Sequence, residues 1–155
     1  VLGGMAKDAG CELRVTANGP LIVLGSRDEL VQVVQNLAEN ALKYGSAGKL
    51  VEIDVRRDGA TIEVSVRDPG PGIAAEHIPR LTERFYRVST SRSRDKGGTG
   101  LGLSIVKHVL GLHQARLDIS SEVGVGISAH SADRHDQGLG RCEAARNIVQ
   151  RLRKH

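Results

Sequence analysis

Asp68 continues the alternation of Ile62, Val64 and Val66, which puts a carboxylate on the apolar parity of a strand, at its end. A charge in that position is costly unless a dedicated partner meets it. The plain alternative is an aspartate capping the turn that follows. That turn, Pro69-Gly70-Pro71-Gly72-Ile73, carries two glycines two residues apart, so a flat ligand can lie against the backbone. A carboxylate beside such a gap suits an exocyclic amine donor, such as the amino group of adenine.

A second set is helical. Asn36, Asn40 and Lys43 follow i, i+4, i+7 spacing and share one face beside an apolar stripe. Asparagine is a mediocre helix former, so two on one face need a reason. Solvated polar residues are the bland account. An amide oxygen is also a hard ligand for magnesium, which keeps waters and bridges substrate phosphates, and Lys43 would offset phosphate charge. The third set is Gly97-Gly98-Thr99-Gly100-Leu101-Gly102-Leu103, leading straight into a helical pattern. Backbone N–H groups at a helix N-terminus form an anion site, although a structural hinge would use the same residues. The run lacks the lysine of a P-loop and does not fit the dinucleotide-binding fingerprint.

The elements that must hold these residues can be read from periodicity. Residues 11–16 alternate as a strand, Asn18-Gly19-Pro20 is a turn, and 21–24 (LIVL) reads as a second, more buried strand. Ser26-x-x-Glu29 is a capping-box pattern. Leu30, Val33, Val34, Leu37, Ala41 and Leu42 then give a helix one apolar face to about residue 44. Residues 51–56 and 61–67 alternate as strands about the hairpin signal Asp58-Gly59. From 68 to 100 there is little periodicity; Leu101 to Leu112 is a helix, and 116–120 resumes strand alternation. Strands, helix, hairpin, long loop, helix, strands predict an α+β fold, a two-layer α/β sandwich whose mixed sheet is covered on one face by helices.

In order and spacing, NLAENALKYG (36–45), DPGPGI (68–73), ERFYRV (83–88) and GGTGLGLSIVKHV (97–109) closely resemble the successive boxes of the sensor histidine-kinase catalytic domain. That family shares its superfamily with DNA gyrase, the large heat-shock chaperone ATPase and the mismatch-repair ATPase. The resemblance covers roughly residues 10–126 and implies a Bergerat-type ATP-binding fold with ATP and Mg2+ as ligands. By that resemblance Asn40 coordinates magnesium, Asn36 lines the phosphate region, Lys43 approaches the phosphates and Tyr44 packs near the nucleotide. Asp68 accepts from the adenine amine, Gly70 and Gly72 allow close approach, and Ile73 forms an apolar wall. Residues 74–100 form the ATP lid, anchored by Phe85 and made basic by Arg84, Arg87, Arg92, Arg94 and Lys96. Gly98, Thr99, Gly100, Leu101, Gly102 and Leu103 cradle the phosphates.

The resemblance also bears on the reaction. Hydrolytic relatives carry a glutamate four residues before the metal-binding asparagine, where this chain has Asn36, which is no strong base. Glu39 points about 100° around the helix from Asn40. The expected chemistry is therefore phosphoryl transfer to a protein histidine by a two-component signalling kinase, done by positioning and charge neutralisation. None of the six histidines has the acceptor context, so the acceptor and dimerisation helices are expected outside this chain, as are a response regulator partner and, for the parent protein, an inner-membrane anchor. The chain alone is expected not to autophosphorylate. A catalytically silent nucleotide-binding module or truncated kinase fragment is the alternative, and an anti-sigma-type serine kinase a third reading.

Composition agrees. The apolar fraction is 39%, the aromatic fraction 2% and the net charge +4. Residues 130–155 hold six basic against three acidic side chains, so most of that charge lies in a tail. With few aromatics to stack on bases, nucleic-acid binding is not expected. No segment is long and apolar enough for a membrane span, and the chain starts at Val1, as a fragment would. Cys11 and Cys142 lack any ligand spacing and read as reduced thiols of a cytoplasmic domain. After SSEVGVG (120–126), Ile127–Asp133 is far more polar than the apolar strand the family has there. The domain is therefore expected over 1–128, with 129–155 an atypical basic tail. Ala145, Ile148, Val149 and Leu152 have helical spacing within it, and the abrupt loss of alternation fits a frameshifted end.

Overall fold

Alternating apolar residues produce the strands the sequence predicts, and the sheet they form is mixed. The computed structural model describes residues 2–19, 21, 23, 25–45, 49–59, 61–88, 98–122 and 126–134. Strands β1 (Glu12–Ala17), β2 (Leu50–Asp58), β3 (Thr61–Asp68), β4 (Arg116–Glu122) and β5 (Gly126–Arg134) are arranged β1-β2-β3-β5-β4. Only the β1–β2 pairing is parallel. The β2–β3 hairpin closes with Asp58 opposite Thr61, and Gly59 takes φ +59° in the turn, a conformation a two-residue hairpin requires.

Helices α1 (Leu2–Asp8), α2 (Arg27–Gly45) and α3 (Gly102–Leu112) form the second layer. Val33, Val34, Leu37, Ala38, Ala41 and Leu42 of α2 are buried with Val106, Val109 and Leu110 of α3. They meet Val51, Ile53 and Val55 of β2 and Ile62 and Val66 of β3 in one core. Fully burying each of the Val, Leu and Ile side chains is worth about 1.5–3 kcal/mol, so β-branched and leucyl side chains do here what aromatics do elsewhere. The two-layer arrangement is the one the element order predicts.

The helix start at Ser26 is also where the sequence puts it, but its cap differs. The Ser26 N–H donates to His113 Nε2 at 3.0 Å, beyond the end of α3, where a capping box would use the Glu29 carboxylate. His113 Nδ1 lies 2.8 Å from the Val109 carbonyl, which can only accept, so Nδ1 carries the proton and Nε2 is free to accept. This ring ties the start of α2 to the end of α3.

Three segments bear on the sequence expectations. Of the run at 21–24 only Leu21 and Val23 are among the described residues: Leu21 is buried in the core and Val23 makes a bridge. Leu21 thus serves burial, a role that a short apolar run leaves open beside the strand. Helix α1 was not anticipated; at seven residues it is too short for periodicity to mark. Third, the polar segment after residue 128 does not leave the sheet. β5 continues through Arg134, pairing with β3 on one side and β4 on the other. A strand with neighbours on both edges satisfies its N–H and C=O groups whatever its side chains are. The helical spacing at 145–152 lies outside the described residues.

Candidate functional site

Asp68 ends β3 on the core-facing parity and is 7% exposed. Among the described residues a single donor reaches its carboxylate, the Gly70 N–H, at 2.9 Å to Oδ1. The other oxygen is left for something else. Burial holds the carboxyl above the usual aspartate value, against the opposing pull of the Gly70 N–H. A buried acid with one unclaimed oxygen beside a glycine loop is what an exocyclic amine would need.

Two glycines frame that carboxylate. A Cβ on Gly70 would lie 2.7 Å from both Asp68 Oδ1 and the Gly45 Cα. A Cβ on Gly45, the last residue of α2, would fall well inside contact distance of Asp68 Cβ, Cγ and Oδ1. The loop continues through Gly72, whose φ of +73° favours glycine, to Ile73, which is half-buried. Its N–H donates to Ser121 Oγ on β4 at 2.8 Å, which ties the loop to the sheet.

Asn36, Asn40, Lys43 and Tyr44 are all half-buried on α2. Its regular turn brings the two amides to the start of α3: an ideal Cβ on Gly102 would lie 3.5 Å from Asn36 Oδ1 and 3.8 Å from Asn40 Oδ1. Tyr44 reaches the segment before α3, its hydroxyl 3.1 Å from where a Gly98 Cβ would stand. The predicted helix face and the predicted glycine run thus meet. Thr99 is exposed, Leu101 and Leu103 are half-buried, and the Leu101 carbonyl accepts from Ile105 N–H and from Ser104 Oγ. Gly102 opens α3, so unpaired N–H groups of its first turn adjoin Asn36 and Asn40. No group of three His, Cys, Asp or Glu among the described residues could hold a metal ion. A hard cation here would rest on amide oxygen and on oxygens brought by its ligand.

The segment expected to be an irregular lid begins with a 3-10 helix, Ala75–Arg80. Phe85 corrects the sequence reading. Its side chain is 71% exposed and anchors nothing among the described residues. The anchor is its backbone: the Phe85 N–H donates to the Gly100 carbonyl at 2.9 Å with φ +64°, and a Cβ on Gly100 would lie 2.9 Å from Phe85 Cα. The sequence reading rests the anchor on the aromatic, whereas the constraint is a close approach of two backbones. Nearby, Tyr86 hydrogen-bonds His77 Nδ1 at 2.6 Å, and the Arg80 guanidinium stacks 4.2 Å over its ring. Of the lid cations, Arg84 is exposed and Arg87 half-buried. Arg92, Arg94 and Lys96 lie outside the described residues.

Gly45 and Ser121 are the residues that sequence reading passed over. Gly45 lies inside the NLAENALKYG run, but a glycine ending a helix reads as a C-cap. Ser121 gives no signal at all, since its partner is 48 residues away.

Comparisons with known proteins point to one family. A family model described as "Histidine kinase-, DNA gyrase B-, and HSP90-like ATPase" matches residues 25–132. The chain is 46% identical over 121 residues to the sensor-like histidine kinase SenX3 of Mycobacterium tuberculosis, covering 78% of this chain and 30% of that protein. It is 47% identical over 123 residues to the phosphate regulon sensor protein PhoR of Pseudomonas aeruginosa, covering 78% of this chain and 28% of PhoR. The crystal structure of full-length ShkA in complex with AMPPNP superposes with a TM-score of 0.74 at 28% identity, over 90% of this chain and 28% of ShkA. The chain therefore spans about a quarter to just over a third of the length of the curated relatives it matches.

Proposed function

Since the chain belongs to the histidine kinase-, DNA gyrase B- and HSP90-like ATPase family, we propose that it is the ATP-binding catalytic domain of a two-component sensor kinase. It passes the γ-phosphoryl group of ATP to a histidine on helices outside this sequence. The observation that carries the reading is Asp68: a buried carboxylate with one oxygen taken by Gly70 and the other unclaimed among the described residues. An adenine amine donating to that oxygen would satisfy it.

In this reading each residue has a task. Asp68 reads the base, while Gly70, Gly72 and Ile73 form the surface on which it lies. Asn40, with Asn36 beside it, supplies amide oxygen to Mg2+, which neutralises phosphate charge when bound. Lys43, Arg87 and the N–H groups from Gly98 to Leu103 face the phosphates. Tyr44 borders the nucleotide. During transfer the acceptor imidazole nitrogen bonds to the γ-phosphorus, the bond from that phosphorus to the β–γ bridging oxygen breaks, and ADP leaves. Glu39, the acid next to Asn40, points about 100° around the helix from it, so positioning and charge neutralisation do the work.

The partners are the acceptor and dimerisation helices and, through them, a response regulator. No helix among the described residues is long and apolar enough to cross a membrane, and we place the domain in the cytoplasm. The test mixes this chain with a fragment carrying the acceptor helices of its parent and γ-labelled ATP plus magnesium. Acid-labile, base-stable label on the fragment is expected. ATP binding without any phosphohistidine would make the chain a silent nucleotide-binding module, and no ATP binding would sink both.

A further inference from the structure

We propose that Gly45 is a specificity-determining position: by having no side chain it sets where the Asp68 carboxylate stands, and so the preference for an amino purine. This rests on the reading of Asp68 as the base-recognising group. The space next to the Gly45 Cα, where any other residue would place its Cβ, is filled by the Asp68 side chain from Cβ to Oδ1. Gly70 meets the same spot: its own ideal Cβ would stand 2.7 Å from both Asp68 Oδ1 and the Gly45 Cα, and its N–H holds Oδ1 at 2.9 Å. The carboxylate thus stands in a slot left where two glycines from different elements come together, the end of α2 and the loop after β3.

The contact involves the Asp68 Cβ as well as its carboxylate. A rotation about χ1 or χ2 cannot clear a methyl group at position 45, because Cβ does not move with either torsion. The end of β3 must shift relative to α2 instead. Asn36 and Asn40 sit on α2 near its middle, so the phosphate end of the site would keep its geometry while the base end moved. Gly45 therefore gauges the distance between base recognition and phosphate binding. Positioning within about 0.5 Å is what such a constellation requires.

The experiment measures the affinities of the intact chain for ATP and for inosine triphosphate, which carries a keto oxygen in place of the amine, both with magnesium. Wild type is expected to prefer ATP. Gly45→Ala is expected to lower that preference by about tenfold, the size of one displaced hydrogen bond to a charged acceptor. Loss of affinity for both nucleotides by one common factor would overturn the proposal, because a general loosening of the domain acts in that way. No preference in wild type would instead sink the assignment of Asp68, whatever Gly45 does. Gly45→Ala is also expected to lower the thermal midpoint, and Asp68→Gly added to it should restore folding by removing the Cβ it strikes. If the double variant is no more stable than Gly45→Ala, the slot is not what Gly45 protects.

Discussion

Replacing Asp68 by Asn separates the cost of burying a charge from the benefit of using it. Oδ1 of Asp68 is held by the Gly70 N–H at 2.9 Å. In the variant the amide oxygen takes over that bond, so the NH2 group turns to where the adenine amine would donate, and two donors face each other. The loss is one hydrogen bond to a charged, buried acceptor, about 1.5–3 kcal/mol, which at 1.4 kcal/mol per tenfold is about 10- to 150-fold in Kd. At ATP one hundred times the wild-type Kd, ligand binding stabilises wild type by about 2.7 kcal/mol; a variant about thirtyfold weaker would gain about 0.9 kcal/mol. For a domain of this size the ATP-induced rise in Tm should fall from about 5–11 °C to about 2–4 °C. Without nucleotide the order reverses, because burial disfavours the Asp68 carboxylate and the neutral amide escapes that cost. At neutral pH the apo variant should be as stable as wild type or more so. Titration calorimetry and thermal melts with and without ATP test both halves. Unchanged ATP affinity would refute the role given to Asp68, and a large fall in the apo Tm would refute the desolvation argument.

Three further outcomes follow from the same geometry. Asn40→Ala should lower ATP affinity on the order of tenfold or more with magnesium present and change it little when EDTA replaces the metal; an equal loss in both conditions would rule out metal ligation. ATP affinity should rise with pH as Asp68 ionises. Its pKa is raised above the ordinary 3.8, so the folded apo state holds that proton more tightly than the unfolded chain. Apo stability therefore declines as pH climbs from the ordinary aspartate value to the raised one, opposite in sign to the affinity, and calorimetry with melts across mildly acidic pH would detect both slopes. A Cβ on Gly25 would run into the His113 ring, so Gly25→Ala should cost about 1–3 kcal/mol in denaturant unfolding. His113→Ala should remove most of that extra cost, and strict additivity of the two would disprove the contact.

What could be read from the sequence depended on whether a position works through its side chain. Asp68, Asn36 and Asn40 are legible because a carboxylate on an apolar parity and two amides on one helix face are chemically out of place. The strands at 50–58 and 61–68 are legible because Val and Ile alternate with charges. Phe85 misled because the chain is fastened there by its N–H to the Gly100 carbonyl, and a backbone bond is not announced by an aromatic side chain. The 127–133 segment misled for a related reason: ladder bonds on both edges hold β5, and they make no demand on hydrophobicity. Ser26-x-x-Glu29 marked the right helix start although a histidine from the end of α3 does the capping.

Gly45 joins both cases, and it shows why the two ends of this site must be considered together. Its missing side chain is read in sequence as a helix terminator, yet in space it makes room for the Asp68 carboxylate. The same helix presents Asn36 and Asn40 to Gly102 at its middle and a bare Cα to Asp68 at its end. A rigid helix about 1.5 Å long per residue thus rules off the separation between the two, with Asn40 five residues, roughly 7–8 Å, from the slot. A base and a triphosphate bound together would span that ruler. Its fixed length explains why a substitution that moves only the slot should alter which purine is chosen while leaving the phosphate contacts in place.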